Sequence, residues 1–157
     1  MTLRVGERRA DIIGLLARLI LGLVLIVAGA LKITSPASSA LAVRAFQILP
    51  YDLAGYVGYM LPTVEIAVGL LLILGLFTRV AAAAGGLLMV AFLIGIISAW
   101  ARGLTIDCGC FGGGGTIAAA QTQYGKDVLR DAALAACAAW LIVRPGTAYS
   151  LDHRLFG

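Results

Sequence analysis

Two cysteines, Cys108 and Cys110, stand one residue apart in the segment Thr105–Gly115, which reads TIDCGCFGGGG. Thiols this close have three uses. They can exchange electrons with another disulfide, hold a soft ion such as Cu(I) or Hg(II), or serve structure alone. A Cys-x-Cys disulfide closes a small ring whose Cα atoms barely reach normal disulfide geometry, and strain makes such a bond easier to reduce. Gly109 permits the ring, because it lacks a Cβ and reaches backbone angles that other residues avoid. A strained disulfide in an exposed loop suits exchange better than stapling. The nearby charges point both ways: Asp107 would raise the Cys108 pKa, while Arg102 or a helix N-terminus would lower it. The third cysteine, Cys137, sits among alanines and reads as a small buried hydrophobe.

Three ionisable residues, Arg18, Glu65 and Asp131, fall within or near apolar stretches. A charge at the centre of a membrane span costs at least about 2.5 kcal/mol, so such groups face the protein interior and find partners. At about 1.5 Å of rise per residue, the depths of Arg18 and Glu65 are close enough for an ion pair. Lys32 or Arg130 becomes the partner of Glu65 if its helix starts at Pro62. Two roles are open for these charges: a pair that sets helix register, or a proton or quinone site below the cysteines. Asp127 and Asp131 suit the first turns of a helix, where the dipole is positive, and Arg130 suits an interfacial anchor.

The elements that must position these groups are membrane helices. Of 157 residues, 61% are hydrophobic and 13% charged. The mean hydropathy is +1.00. A soluble domain of this size is about half apolar and a quarter charged. The expectation is a single all-α domain over residues 1–157, an integral membrane four-helix bundle. Its spans are placed at about 12–31, 53–77, 80–100 and 128–143. An alternative for the second span is an interfacial helix up to Leu61, with Pro62 opening a shorter span. Arg4, Arg8 and Arg9, the apolar run after them and Ala28-Gly29-Ala30 imitate a secretory signal. Arg18 interrupts that run and three more spans follow, so the segment is expected to be retained as a helix. Gly22, Gly29, Ala91 and Gly95 offer small faces for close packing.

With a cytoplasmic N-terminus, Arg4, Arg8, Arg9, Arg79, Arg144 and Arg154 lie inside, against Lys32, Arg44, Arg102 and Lys126 outside. The positive-inside rule then puts both termini in the cytoplasm of a bacterium and the cysteine loop on the outer side of its plasma membrane. Thiols oxidised there stay oxidised. The net charge of +4 comes from residues at the ends of apolar runs. No basic stripe with interleaved aromatics, zinc-ribbon spacing or phosphate-cradling loop accompanies it, so a nucleic-acid partner and a resident metal are not expected.

Four stretches resemble the DoxX-like membrane proteins: ARLILGLVLIVAGALKITSP (17–36), LPTVEIAVGLLLILGLFTRVAA (61–82), RGLTIDCGCFG (102–112) and VLRDAALAACAAWL (128–141). Within these, the chain is similar to the branch named for the methylamine-utilisation protein MauE. The most specific element is Asp107–Gly112. The resemblance implies a four-helix membrane protein that matures a disulfide-rich periplasmic dehydrogenase alongside a thioredoxin-like partner. It makes Cys108 and Cys110 the redox pair, and Arg18, Lys32, Glu65 and Arg130 family-pattern positions. The glycine-rich stretch after Gly112 departs from the pattern. The leading expectation is a thiol–disulfide oxidoreductase in which net oxidation needs a sink such as quinone. The alternatives are a Cu or Hg importer and a scaffold subunit without chemistry.

Overall fold

A computed structural model describes residues 2–116, 123–145 and 150–155, and the side chains of all of these but 2–5, 116 and 153. Residues 117–122, in the part of the loop that departs from the family pattern, lie outside the described residues. The helices are α1 (Thr2–Ile33), α2 (Pro36–Ala45), α3 (Tyr51–Leu74), α4 (Thr78–Ala101), α5 (Tyr124–Val143) and α6 (Leu151–Leu155). Two short strands, β1 (Ile106–Asp107) and β2 (Gly115–Thr116), pair antiparallel with Ile106 opposite Thr116.

Three of these helices are long and apolar enough to cross a membrane: α1 from Gly6 to Ile33, α3 and α4. The expected fourth span, α5, is not among them. Lys126, Asp127, Arg130 and Asp131 occupy its first two turns. The apolar remainder from Ala132 to Val143 is about 18 Å long, short of a hydrocarbon core. α1 packs along α3 and α4 along α5, and contacts of α1 with α5 and α3 with α4 close the circuit. Leu21, Leu25, Leu72, Ala82, Met89, Leu134 and Leu141 fill the centre. Leu16, Leu23, Leu70, Leu87 and Ile94 point outward. Such an apolar exterior matches lipid and would be a liability in water.

Gly22 lies on the α1–α3 seam, as its small size suggested. A Cβ there would stand 3.0 Å from the carbonyl of Gly69, and one on Gly69 would stand 2.7 Å from the carbonyl of Gly22. The two backbones touch because neither residue has a side chain.

The second span begins at Tyr51 and runs through Pro62 without a break, so the shorter alternative from Pro62 is not adopted. Proline cannot donate to the carbonyl four residues back. That carbonyl belongs to Gly58, and the Ser39 hydroxyl of α2 donates to it at 2.7 Å. A neighbouring side chain thereby satisfies the group that proline frees. α2 itself, opened by Pro36 at its start, was not foreseen.

α3 stops at Leu74, before the expected Phe77. Gly75 takes a left-handed φ of +69°, and the Leu76 N–H closes the cap on the Leu71 carbonyl at 3.0 Å. This is the usual glycine stop. Asp152 of α6 completes the turn by accepting from the Phe77 and Thr78 N–H groups at 2.7 and 2.8 Å.

Candidate functional site

The cysteine loop is fastened at both of its roots. Tyr124, in the first turn of α5, donates its hydroxyl to the Leu104 carbonyl and accepts the Ile106 N–H at 3.1 Å. Arg102, at the end of α4, donates to the Phe46 and Gln47 carbonyls after α2. The β1–β2 pair then holds residues 108–114 as a closed turn over α2 and the end of α1. Gly109 sits at φ +67°, with Ala42 of α2 against the position a Cβ would take. Any other residue there would be strained in its backbone and would collide with α2.

This packing corrects one expectation. The thiols are not exposed: Cys108 is 9% and Cys110 6% accessible, and both are free. The loop folds inward because its glycines let the backbone lie directly on Ala42 and Leu31. The charges around the pair also differ from expectation. Asp107 turns to the loop backbone, accepting the Gly109 N–H at 3.1 Å with its other oxygen beside Gly113. Arg102 is engaged with carbonyls. The groups that act on the thiols are Asp127, Arg130 and Asp131 of α5.

The two sulfurs are electrostatically unlike. The Cys110 thiol, by hydrogen bonding to Cys108, draws the Cys108 pKa below the ordinary thiol range. Burial and the Asp127 carboxylate oppose this, while the Cys110 N–H and the Arg130 guanidinium reinforce it. Cys110 is pushed far upward, first by serving as that donor and then by burial and the charges of Cys108 and Asp131. The pair therefore divides into a thiolate-prone Cys108 and a proton-holding Cys110.

Below the loop lies a cluster of charges. Lys32, at the last turn of α1, meets Glu65 of α3 at 2.6 Å, with both side chains almost fully buried. Its ammonium also stands 5.1 Å from the centre of the Phe92 ring. Arg130 spans Asp131 at 2.8 Å and Asp127 at 3.2 Å, and stacks on Phe111 at 4.9 Å. Glu65, Cys110, Arg130 and Asp131 line one small cavity with Phe92 and Leu134. It has room for about one water molecule. Glu65 Oε2 and Asp131 Oδ2 have no hydrogen-bond partner among the described residues.

The structure thus gathers Cys108, Cys110, Asp107, Gly109, Lys32, Glu65 and Arg130 at one end of the helices. Arg18 is not with them. It does not pair with Glu65 but, from the middle of α1, faces Asp152 at the α3–α4 turn, where its guanidinium lies beside Gly75. Lys32 follows Arg18 by about 21 Å along the helix, and the tilt and register of α3 bring Glu65 to the Lys32 end. Cys137 lies two turns below Arg130, against the apolar centre, and does not join the thiols. The anchoring role of Tyr124 was missed. A tyrosine in the first turn of a helix beside a loop is its only signal.

Apolar helices, a thiol pair on a glycine turn and a buried charge cluster beneath it define a membrane protein with a polar centre at one end. Over residues 10–144 the chain matches the family model of the methylamine utilisation protein MauE, and it belongs to that family. The membership places it among membrane proteins of methylamine utilisation. Neither a curated protein nor a solved structure matches the chain significantly.

Proposed function

We propose that this chain is a membrane thiol–disulfide redox protein. It acts with an extracytoplasmic thioredoxin-like partner in forming or maturing disulfides of exported proteins. In this reading the α1, α3, α4 and α5 helices form a four-helix bundle of DoxX-like type in a bacterial plasma membrane. Both termini are cytoplasmic and the cysteine loop faces outward.

The observation that carries the reading is two free thiols set one residue apart on the left-handed Gly109 turn, over a cavity that Arg130 and Asp131 line. Exchange needs one sulfur ready as thiolate and a second that resolves the mixed disulfide. Cys108, with the Cys110 and Arg130 donors around it, fits the first role, and Cys110 the second. Cys108 attacks a partner disulfide, the partner S–S bond breaks, and one partner thiolate leaves. Cys110 then attacks Cys108, and the second partner thiolate leaves. Two electrons pass from the dithiol to the partner; the reverse sequence oxidises the partner.

The test is trapping. Cys110→Ser should accumulate a mixed disulfide between Cys108 and an extracytoplasmic thioredoxin-fold protein, and Cys108→Ser should not. If neither variant traps a partner and the double variant still supports maturation of exported disulfides, the redox reading fails. Stoichiometric Cu(I) or Hg(II) on the reduced protein, with altered metal accumulation by cells, would replace it with the importer reading. An impermeant thiol reagent that labels the pair only after lysis would reverse the orientation.

A further inference from the structure

Closing the Cys108–Cys110 disulfide requires Cys110 to lose a proton in a place where it is 6% accessible. The thiolate, not the thiol, is the nucleophile. In the reduced loop the Cys110 thiol donates to the Cys108 carbonyl at 3.9 Å, an acceptor that cannot take its proton. Once Cys108 is consumed in a mixed disulfide, that proton needs another destination. The cavity beneath Cys110 offers one. Asp131 is 2% accessible, its Oδ1 is held by Arg130 at 2.8 Å, and its Oδ2 has no partner among the described residues. Of the two carboxylates lining the cavity, Asp131 is the one whose charge acts on Cys110.

We propose that the Asp131 carboxylate accepts the Cys110 proton as the pair closes into its disulfide. The step balances: the Cys110 S–H bond breaks, its proton passes to Asp131 Oδ2, the Cys110–Cys108 S–S bond forms, and the partner sulfur leaves with its electron pair. In the reverse direction Asp131 returns the proton. The charged groups around Asp131 are Arg130 and Asp127 on its own helix, Lys32 from α1, Glu65 from α3 and the thiols of the loop. The proposal rests on the exchange reading, and its test separates the two.

The full chain carrying Cys137→Ala is reduced, placed in lipid nanodiscs and mixed with 4,4′-dithiodipyridine. The first thiopyridone released reports attack by Cys108, and the second reports closure by Cys110. Closure in the parent should be flat with pH across the neutral range, because an internal carboxylate takes the proton. Asp131→Asn, its fold checked by circular dichroism, should still give a complete first release, which serves as the reference for the second. It should slow closure at pH 7 at least tenfold and make it rise tenfold per pH unit. Asp131→Glu should restore the flat profile, and Glu65→Gln should keep it. Closure that is equally fast and flat in Asp131→Asn, or slowed in parallel at every pH, overturns the proposal. If the parent never releases a second thiopyridone, the exchange reading fails and the proposal fails with it.

Discussion

The two ends of this protein handle a carboxylate in opposite ways. At the α3–α4 turn, Asp152 commits its two oxygens to the Phe77 and Thr78 N–H groups, at 2.7 and 2.8 Å, with Arg18 as counter-charge. Phe77 is held there at a left-handed φ of +48°. At the cysteine end, Glu65 and Asp131 line a shared cavity, and each gives one oxygen to a cation and leaves the other without a partner among the described residues. A fully bonded carboxylate has a structural role and little freedom to change its charge. A half-bonded one in a small buried cavity costs stability, since a buried polar atom without a partner is unfavourable. That cost, placed under two thiols, makes this end the candidate site, since strained electrostatics concentrate where chemistry is done.

Breaking the Lys32–Glu65 pair tests the contrast most severely. Lys32→Met should destabilise the protein by about 3 to 5 kcal/mol, because it strands a buried carboxylate. Lys32→Met with Glu65→Leu should recover most of that loss, and thiol exchange with it, because Asp131 rather than Glu65 is proposed to take the Cys110 proton. Unfolding in detergent, read by circular dichroism, gives the stabilities, and an exchange assay separates structure from chemistry. Exchange that stays impaired in a stable double variant would give the pair a part in the chemistry.

Gly109→Ala should cost about 1 to 3 kcal/mol, from the left-handed backbone and the contact with Ala42. Its effect should concentrate on the loop, seen as faster alkylation of Cys108 and Cys110 with little change in the melting of the helices.

At the other end, Asp152→Asn should cost about 1 kcal/mol, the usual size of a lost helix cap. The pH dependence has a definite sign. Burial opposes ionisation of Asp152, but the Thr78 and Phe77 N–H groups and Arg18 outweigh it and hold its folded pKa below the usual value. A depressed folded pKa contributes stability above the unfolded pKa, near 4, that is lost as pH falls through the folded value. Asp152→Asn should therefore flatten the melting temperature against pH below about 4, and thiol exchange at neutral pH should not move.

The smallest effect is expected at Cys137. Cys137→Ala should leave the rate of exchange at the thiol pair within a factor of about 2, as fits a small apolar residue against the α4–α5 packing. A larger loss would mean that electrons pass through it.

Several features were legible before the fold. The apolar runs of α1, α3 and α4 are long enough to announce themselves, because a membrane demands length and hydrophobicity from each helix separately. The Cys108–Gly109–Cys110 triplet announces a thiol pair, and Gly109 the turn that carries it. Gly22 announces a close seam. α2 is only ten residues long and weakly patterned, so no local signal distinguished it from a loop. Its place under Gly109 and its donor to Gly58 are contacts between distant segments. The continuity of α3 through Pro62 depends on that donor and could not be read from the proline alone. α5 was expected to span, but four charged residues in its first two turns shorten its apolar part and give it the polar end of the site instead.

By itself, then, the sequence determined the kinds of element and the kinds of chemistry: apolar helices, two neighbouring thiols and a handful of charges that must be buried. Hydrophobic length and residue type are local properties. Only the tertiary structure decided the partners. Arg18 and Glu65 match in estimated depth, yet Lys32 holds Glu65, Arg18 faces Asp152, and Asp131 shares a cavity with Cys110. Those choices depend on how far each helix slides and rotates against its neighbours. That is set by contacts such as Gly22 on Gly69, which exist only once the helices have met.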